Sequence, residues 1–514
     1  MARARRRRSR LTPRRWLPFV ALCALVAGAA VVEADTPKLA PEQLDRSLDV
    51  ATLATVTAAD ALSTAWYCSG GTASGDGIAE LSVVLANDAP EGATAEITFF
   101  ADDADAAAQP RVVDVPAHGR ARLRAGEIVD ADWVGALVEV RGGRVAVDRE
   151  VTGPLGFDAS SCSTVAADDW FVASGATVRG AEQYLSIFNP FPDTASVDVT
   201  FTTDTGRRAP RELQGLSVPG QSVRVVVVGE LVTDRATFAA RVRARLGRVV
   251  VDRVQTYDGT GDAITTGSGD TEVTTPPPKG LVSVAASPLR ADRWVIPSAR
   301  VGEGIRTQVA IYNPSSEAAE VDVVLHYQEP DRHVELAPVE LTVRAGRQVV
   351  VDLNSIAGIE PDTDLWIDVQ SLEGQPVVAE RVSSFGDPSP RVGVATALGS
   401  PVVASRWMVT QAGSTQTRTG SVQVANPGPT DAKVRIFVLE RNDRRELTTA
   451  DVTIAAGDRR AIDLEGAGAA ATVVVEADAP VVVGSSLVML DGAGISLEPG
   501  FAYPETVEAL PPVA

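Results

Sequence analysis

Apolar and polar residues alternate along short stretches of this chain, and the pattern predicts β-strands. Residues 197–202 have the sequence Val-Asp-Val-Thr-Phe-Thr, and the stretches that begin at Val321 and Val434 alternate in the same register. Such alternation places one face of a strand on a core and the other in water. The fuller apolar runs at 223–228 and 249–251 are typical of central strands. Proline or glycine recurs about every 8–12 residues, which is the spacing of a sandwich or barrel.

The strands belong to a pattern that recurs four times along the chain. Each copy opens with a tryptophan, and these are Trp66, Trp170, Trp294 and Trp407. A strand then ends in an asparagine turn, at Asn87, Asn189, Asn313 and Asn426. A turn with a glycine follows, at Gly119, Gly220, Gly346 and Gly457. Three copies close on a valine-rich strand with an acid–arginine pair, namely Asp148-Arg149, Asp252-Arg253 and Glu380-Arg381. A repeat of about 105–125 residues suits one small domain per copy.

This pattern predicts an all-β protein with four tandem immunoglobulin- or fibronectin-like β-sandwich modules, preceded by an N-terminal signal-anchor helix. Modules joined end to end predict an elongated rod. The alternative is a β-propeller with two four-stranded blades per copy. Because blade repeats have about 40–50 residues, that fold predicts similarity between the two halves of a copy, and none is visible.

Composition sets the predicted boundaries. The linker at 259–280 is rich in glycine, threonine and proline and nearly free of apolar residues, so it cannot form a core. The predicted order is a basic cytoplasmic tip (1–15), a signal peptide or transmembrane anchor (16–34), a stalk (35–49), module one (50–153), module two (154–258), the linker (259–280), module three (281–386), module four (387–503) and a proline-rich tail (504–514).

The N-terminus has the charge pattern of an exported or membrane-anchored protein. Residues 3–15 contain eight arginines and no acid, and an apolar run follows at 16–32. A basic end before an apolar run is typical of an export signal or a single-pass anchor. Val32-Glu33-Ala34 is a mediocre cleavage site, so both outcomes stay open. We therefore expect a single-pass membrane protein with an extracytoplasmic C-terminal region, or a secreted protein.

Charge and cysteine content agree with this location. The net charge is −20 although the tip is strongly basic, so the remainder repels nucleic acid. Cys23 lies in the apolar run, which leaves Cys68 and Cys162 for a disulfide across the first module. Its loop is long enough to contribute about 4–5 kcal/mol. A metal site would need two further ligands, and none is near these cysteines.

No catalytic constellation can be assembled from the sequence, and we predict neither a cofactor nor a metal. The three histidines, His118, His326 and His333, lie in turns or at a strand end, where surface histidines are common. Residues 102–105 contain three aspartates but lack the spacing of a calcium loop, and residues 258–262 are interpreted as the start of the linker. With 67 acids a pair of carboxylates for a glycosidase is easily found, and none stands out.

The recurrent residues have structural interpretations. A tryptophan at the start of every module is expected to anchor a core, and Trp133 and Trp366 are expected in cores as well. Exposed tryptophans would instead suggest carbohydrate stacking. The asparagine side chains cap strand ends. Each acid–arginine pair places its members on opposite faces of a strand, and we expect one of them to point inward or along a sheet edge and to be paired across strands. Copy four has Gly484-Ser485 instead.

The arginine-rich start, the tryptophan strand, the Asn-Pro turn, the glycine turn and the Val-Val-x-Asp/Glu-Arg strand together resemble a family of uncharacterised actinobacterial secreted or membrane proteins, a domain of unknown function. The resemblance covers about residues 15–505, and Cys68 after Trp66-Tyr67 is similar to the family's first copy. It implies no catalytic residues. We expect a non-enzymatic cell-envelope protein that acts as a scaffold or accessory interaction subunit. Its partner would be an envelope protein or a cell-wall polysaccharide. The alternatives are a polysaccharide-binding protein and, less favoured, a glycosidase.

Overall fold

The computed structural model describes residues 52–103, 108–266, 273–327, 336–447, 452–464, 467–468 and 471–511. The predicted basic tip, anchor and stalk lie outside these ranges. Thr52–Ala514 form one compact unit. The helices within the described ranges are single 3-10 turns, and none of them could span a membrane. These turns are Ala125–Glu127, Arg211–Leu213, Val228–Glu230, Leu353–Ser355 and Pro504–Thr506.

Copy one is a sandwich of two antiparallel sheets. Its strands are β1 (Ser63–Gly71), β2 (Glu80–Asn87), β3 (Ala93–Ala101), β4 (Gln109–Val115), β5 (Gly119–Arg124), β6 (Val134–Arg141), β7 (Val145–Gly153) and β8 (Gly156–Ser161). The sheet that holds the tryptophan, here named the Trp sheet, has the order β1-β6-β3-β4. The sheet that holds the acid–arginine strand, the Arg sheet, has the order β5-β2-β7-β8.

Copies two and three repeat this strand order. Copy two consists of β9 (Asp169–Val172), β10 (Ala181–Asn189), β11 (Ala195–Thr203), β12 (Gly206–Arg208), β13 (Gln214–Val218), β14 (Ser222–Val227), β15 (Phe238–Leu246), β16 (Val250–Asp258), β17 (Ile264–Thr266), β18 (Val273–Thr275) and β19 (Lys279–Ala285). Copy three consists of β20 (Arg293–Val301), β21 (Ile305–Asn313), β22 (Ala319–Tyr327), β23 (Val339–Val343), β24 (Arg347–Asp352), β25 (Thr363–Ser371), β26 (Val378–Phe385) and β27 (Gly393–Leu398). Their Arg sheets have the orders β14-β10-β16-β19 and β24-β21-β26-β27.

Copy four differs because one long strand runs through both of its sheets. Its strands are β28 (Val402–Val409), β29 (Arg418–Ala425), β30 (Ala432–Glu440), β31 (Asp443–Glu446), β32 (Val452–Ile454), β33 (Arg459–Asp463), β34 (Thr472–Met489), β35 (Ile495–Ser496), β36 (Phe501–Ala502) and β37 (Val507–Ala509). The first part of β34 pairs with β28 and β30, and the second part pairs with β29. In the other copies this path is divided into two strands.

The all-β sandwich prediction is confirmed. Most neighbouring strands in the sheets of copies one and three, such as β1 and β6 or β2 and β7, are not consecutive in the chain, whereas a propeller blade joins consecutive strands throughout. The hydrophobic core of each copy lies between its two sheets, where alternating side chains meet.

The last strand of each of the first three copies lies beyond the predicted boundary. Strands β8, β19 and β27 pair with β7, β16 and β26 of the preceding sequence, so each completes the earlier copy. The predicted linker contains the hairpin β17–β18. The predicted tail contributes β37, which pairs with β28. Sequence periodicity locates these strands but not the sheet that each one joins.

The prediction of an elongated rod is wrong, because copy four returns to copy one. The Val56 N–H donates to the Ala502 carbonyl at 3.0 Å, and Thr55 forms a parallel bridge to Ala502. Strands β8, β19, β27 and β35 of the four copies meet at a common axis. Ser160 Oγ donates to the Ser283 carbonyl at 2.5 Å across this axis. The four copies therefore form a closed ring.

Close backbone approach at the axis requires glycine. A Cβ atom on Gly280 of β19 would lie 2.6 Å from the Val394 nitrogen of β27. No side chain fits in that space, so Gly280 lets copies two and three meet through their backbones.

Candidate functional site

The four turn asparagines are buried and connect two distant parts of each copy. Asn426 Nδ2 donates to the carbonyls of Thr430 at 2.8 Å and Ile454 at 3.1 Å, and its Oδ1 accepts from the Gly428 N–H at 3.0 Å. The equivalent bonds join Asn87 to Glu91 and Pro116, Asn189 to Asp193 and Val218, and Asn313 to Glu317 and Val343. The asparagine turn and the later glycine turn are thus one structural unit.

Replacement of Asn426 by alanine is expected to cost about 2–3 kcal/mol of unfolding free energy. The change removes the hydrogen bonds of a buried amide and leaves carbonyls without donors. Asn426→Asp, which keeps the acceptor but loses the Nδ2 donor, should cost a similar amount. Urea unfolding of both variants measures the effect. A loss below 0.5 kcal/mol on the same scale would show that the amide is dispensable.

The glycine turns have different residues in the left-handed position. In copies three and four this residue is the predicted glycine, Gly346 (φ 62°) or Gly457 (φ 74°). In copies one and two it is His118 (φ 44°) or Gln221 (φ 56°), next to the predicted Gly119 and Gly220. The glycines of copies one and two are therefore one residue away from the left-handed position that glycine occupies in copies three and four.

The tryptophans Trp66, Trp170, Trp294 and Trp407 lie inside their sandwiches. Three of their indole N–H groups donate to the backbone of the closing strand, at Val249, Val377 and Val481. Such buried rings are not available to stack on carbohydrate.

Trp133 and Trp366 lie between copies rather than within one core. The ring of Trp133 packs on Tyr184 of copy two, with centroids 5.1 Å apart. The Trp366 indole donates to the Gly457 carbonyl of copy four at 3.0 Å and stacks on His326. Burial lowers the pKa of His326. The sequence identified apolar positions but not which of them face another copy.

Cys68 and Cys162 form a disulfide, as the sequence predicted. Cys68 lies in β1 and Cys162 follows β8, so the bond joins the start of copy one to its end. The backbone groups of Tyr67 and Ser163 bond to each other beside it, at 2.8 and 2.9 Å. Copies two and three have the same backbone bridge without cysteines, at Phe171–Ser287 and Val295–Ser400.

The acid–arginine pairs form buried contacts between consecutive copies. Arg149 of copy one forms an ion pair with Asp252 of copy two. Arg253 of copy two forms an ion pair with Glu380 of copy three at 2.8 Å. Both pairs have side chains at most 3% exposed. The sequence predicted a member of the pair that points inward and is paired across strands. It did not indicate that the arginine pairs with the acid of the next copy.

Hydroxyl groups three or four residues after the tryptophans complete these contacts. Ser69 Oγ donates to Asp252 at 2.5 Å, and Ser174 Oγ donates to Glu380 at 2.7 Å. Asp252 and Glu380 thus each accept hydrogen bonds from a serine and an arginine of the preceding copy. Charge-assisted bonds of this kind satisfy a buried carboxylate.

Copy four departs from this arrangement because Gly484-Ser485 replaces the pair. A Cβ atom at Gly484 would lie 2.9 Å from the Glu498 carbonyl, so no acid fits there. Arg381 of copy three instead donates to the carbonyls of Leu497 at 2.6 Å and Ser298 at 2.5 Å. Burial lowers the Arg381 pKa to about 10.

The axis also holds carboxyl groups that sequence reasoning did not identify. Burial raises the pKa of Asp158 to about 7, although hydrogen bonds from the backbone N–H groups of Ser283 and Ala159 act to lower it. Burial and the nearby Asp158 raise the pKa of Glu498 well above its usual value. Nothing in the local sequence distinguishes these acids from the others, because their burial arises only when the four copies meet.

A second charged cluster joins copies four and one around Asp88. Arg406 donates to Asp88 at 2.5 Å and Tyr503 donates to it at 2.7 Å. Arg444 lies 3.6 Å from Asp88, and His118 lies 3.7 Å from it. Burial and Asp88 raise the pKa of Tyr503. The other three copies have proline at the position of Asp88. This departure from the repeat is the sequence signal that could have identified Asp88 as a functional or structural site.

An apolar cavity of about 120 Å³ lies where the connections between copies converge. Its walls include Leu289, Trp294, Leu398, Trp407 and Phe501. Serines in its wall bond to nearby backbone carbonyls, as Ser287 does to Leu289 at 2.7 Å.

The acidic loops show no metal site. Asp102 and Asp103 border a depression that also includes Asp130 and Asp132. Across the described ranges, no group of three His, Cys, Asp or Glu residues is arranged to hold a metal ion. Asp105 and His333 lie outside those ranges. Asp258 accepts from the N–H and hydroxyl of Thr260, both at 2.7 Å, in a local turn.

Comparison with known proteins gives one family. A model described as a family of unknown function, DUF5719, matches residues 147–252 and 251–507. These ranges cover more than half of the chain and include most of the recurrent residues. No curated protein matches the chain.

Proposed function

The chain belongs to the DUF5719 family of unknown function, and we propose on that premise that it is a non-enzymatic scaffold or accessory interaction subunit of the cell envelope. The contact between each arginine and the acid of the next copy carries this proposal. The recurrent polar residues of the repeat are used to hold the copies together, as Arg253 holds Glu380. A body built in this way keeps the outer surfaces of its copies at fixed positions, which suits a protein that organises partners.

The extracytoplasmic location rests on two supports. Eight arginines followed by an apolar run are typical of an exported or anchored protein. A structural disulfide is typical of an oxidising compartment. The partner would be an envelope protein, with a cell-wall polysaccharide as the alternative.

Crosslinking and affinity capture of the tagged full-length chain from intact envelopes test the proposal. Stoichiometric recovery of one membrane enzyme or transporter is the expected result. Glycan alone, recovered after muramidase release, would favour the polysaccharide-binding alternative. Hydrolysis of a wall polymer by residues 35–514, abolished by one Asp or Glu substitution, would overturn the proposal.

Deleting whole copies is unsuitable as a control, since each copy completes a buried contact of the next. Equivalent outward positions on the Trp sheets offer a better comparison. Arg243 of copy two pairs with Asp169, the residue before Trp170. Glu139 of copy one pairs with Ala65, the residue before Trp66, so the two positions are equivalent. Arg243→Glu and Glu139→Arg reverse charge at matched exposed sites. Loss of the partner in one variant alone would assign the binding surface to that copy.

A further inference from the structure

The junction between copies four and one lacks an arginine that the equivalent junctions have. Asp252 receives Arg149, and Glu380 receives Arg253. Asp148 of copy one occupies the equivalent acid position and receives a hydrogen bond from Thr410 of copy four. The missing arginine would come from position 485, where copy four has serine.

Strand register identifies Ser485 as the equivalent residue. Ser485 pairs with Val422 on the asparagine strand of copy four. Arg149 pairs in the same way with Val83, four residues before its turn asparagine, as Val422 is before Asn426. Asp148 is therefore a buried carboxyl whose arginine partner has been lost from the neighbouring copy.

We propose that the junction between copies four and one is a proton-dependent seam, which closes most tightly when Asp148 is protonated and loosens before the other junctions as the pH rises. A proton neutralises the buried carboxyl in the way that an arginine compensates it at the other junctions. The inference is independent of the proposed scaffold role.

The charged groups around Asp148 leave it incompletely compensated. Glu150 on the same strand is already paired with Arg122 at 3.0 Å. Arg149 is engaged with Asp252. The other groups that face Asp148 from its own copy, from copy four and from the axis are Arg120, Thr410, Gln411 and Glu498, with Arg418 next to Arg120.

The electrostatics of Asp148 agree with this geometry. Burial raises its pKa from 3.8 to about 6, while Thr410, Gln411 and Arg120 act in the opposite direction. A raised pKa in the closed state means that closure takes up a proton between the two values. The contribution to closure is complete below pH 3.8 and is lost as the pH rises through 6.

The seam is also the junction without a covalent connection. Each of the other three junctions joins copies that are consecutive in the chain. Copy one and copy four are the first and the last copy, so no connection links them directly. Their closure depends on contacts such as that between Val56 and Ala502 and the ion pair between Arg406 and Asp88. At this same seam Asp88 accepts from Arg406 and Tyr503, whereas Asp148 accepts from the hydroxyl of Thr410.

Hydrogen exchange of the full chain at pH 5 and pH 8, corrected for intrinsic rates, tests the proposal. The peptides to follow contain residues 145–150 and 408–412 at the seam, with residues 250–255 and 378–382 at the junction of copies two and three as the internal control. Opening of the seam is expected to be about tenfold greater at pH 8 relative to the control peptides.

Two substitutions separate Asp148 from the other buried acids. Asp148→Asn mimics the protonated group and should remove the tenfold difference, while Ser485→Arg restores the missing partner and should protect the seam at both pH values. Asp158 and Glu498 remain in both variants, so the difference from the parent chain reports Asp148 alone. An unchanged pH response in folded Asp148→Asn, or an equal response at both junctions of the parent chain, would overturn the proposal.

Discussion

Replacement of Arg253 by methionine is expected to lower the unfolding free energy by about 3–5 kcal/mol. The substitution keeps most of the side-chain volume but leaves Glu380 buried without its cation. Glu380 is 1% exposed and would retain the hydrogen bonds from the Ser174 hydroxyl and the Ala173 N–H. A buried carboxylate with two neutral donors and no cation cannot recover its lost hydration, which makes the single substitution costly.

The double variant Arg253→Met/Glu380→Leu should recover most of this loss, because an apolar pair of similar volume avoids the desolvation of both charges. Arg245→Ala is the matched control. Arg245 pairs with Asp198 at 2.7 Å but is 56% exposed, so its loss should cost about 0–1 kcal/mol. Urea unfolding of the four chains gives the comparison. Equal losses for Arg253→Met and Arg245→Ala would contradict the importance of the buried contact.

Removal of the disulfide by Cys68→Ala/Cys162→Ala is expected to cost about 4–5 kcal/mol. The bond closes a loop with a sequence separation of 94, so it restricts the unfolded chain strongly. The fold of copy one should persist, because copies two and three form the equivalent backbone bridge without cysteines. The change should therefore act mainly through the unfolded state.

Urea unfolding of the double variant and of the reduced parent chain measures this contribution. The two should agree, and circular dichroism of the folded variant should match that of the parent. A variant that fails to fold would show that the disulfide is needed to form copy one. A loss below 1 kcal/mol would show that the unfolded chain is already compact.

The repeat predicted the fold well because its signals are local. Alternation along residues 197–202 depends on neighbouring side chains and on the period of a strand. The asparagine and glycine turns are likewise defined by short-range chemistry. The disulfide could be predicted since only two cysteines lie outside the apolar run.

The junctions between copies could not be predicted in the same way. Arg149 and Asp252 are 103 residues apart and in different copies. The pair motif indicated that an acid and an arginine recur, and adjacent positions on a strand suggested opposite faces. Nothing local indicated that each arginine meets the acid of the next copy, so the rod was the simplest expectation.

The sequence by itself determined the class of fold, the four copies, their turns and the cysteine pair, because each follows from periodicity or from the chemistry of a few neighbouring residues. Tertiary structure decided the closed ring, the burial of Asp148 and Glu498, and the contacts of Arg406, Arg444 and Tyr503 with Asp88 at the seam. These features depend on which surfaces of distant segments meet, and a chain pattern does not contain that information. Burial then changes the charge behaviour of residues that are indistinguishable from other acids in the sequence.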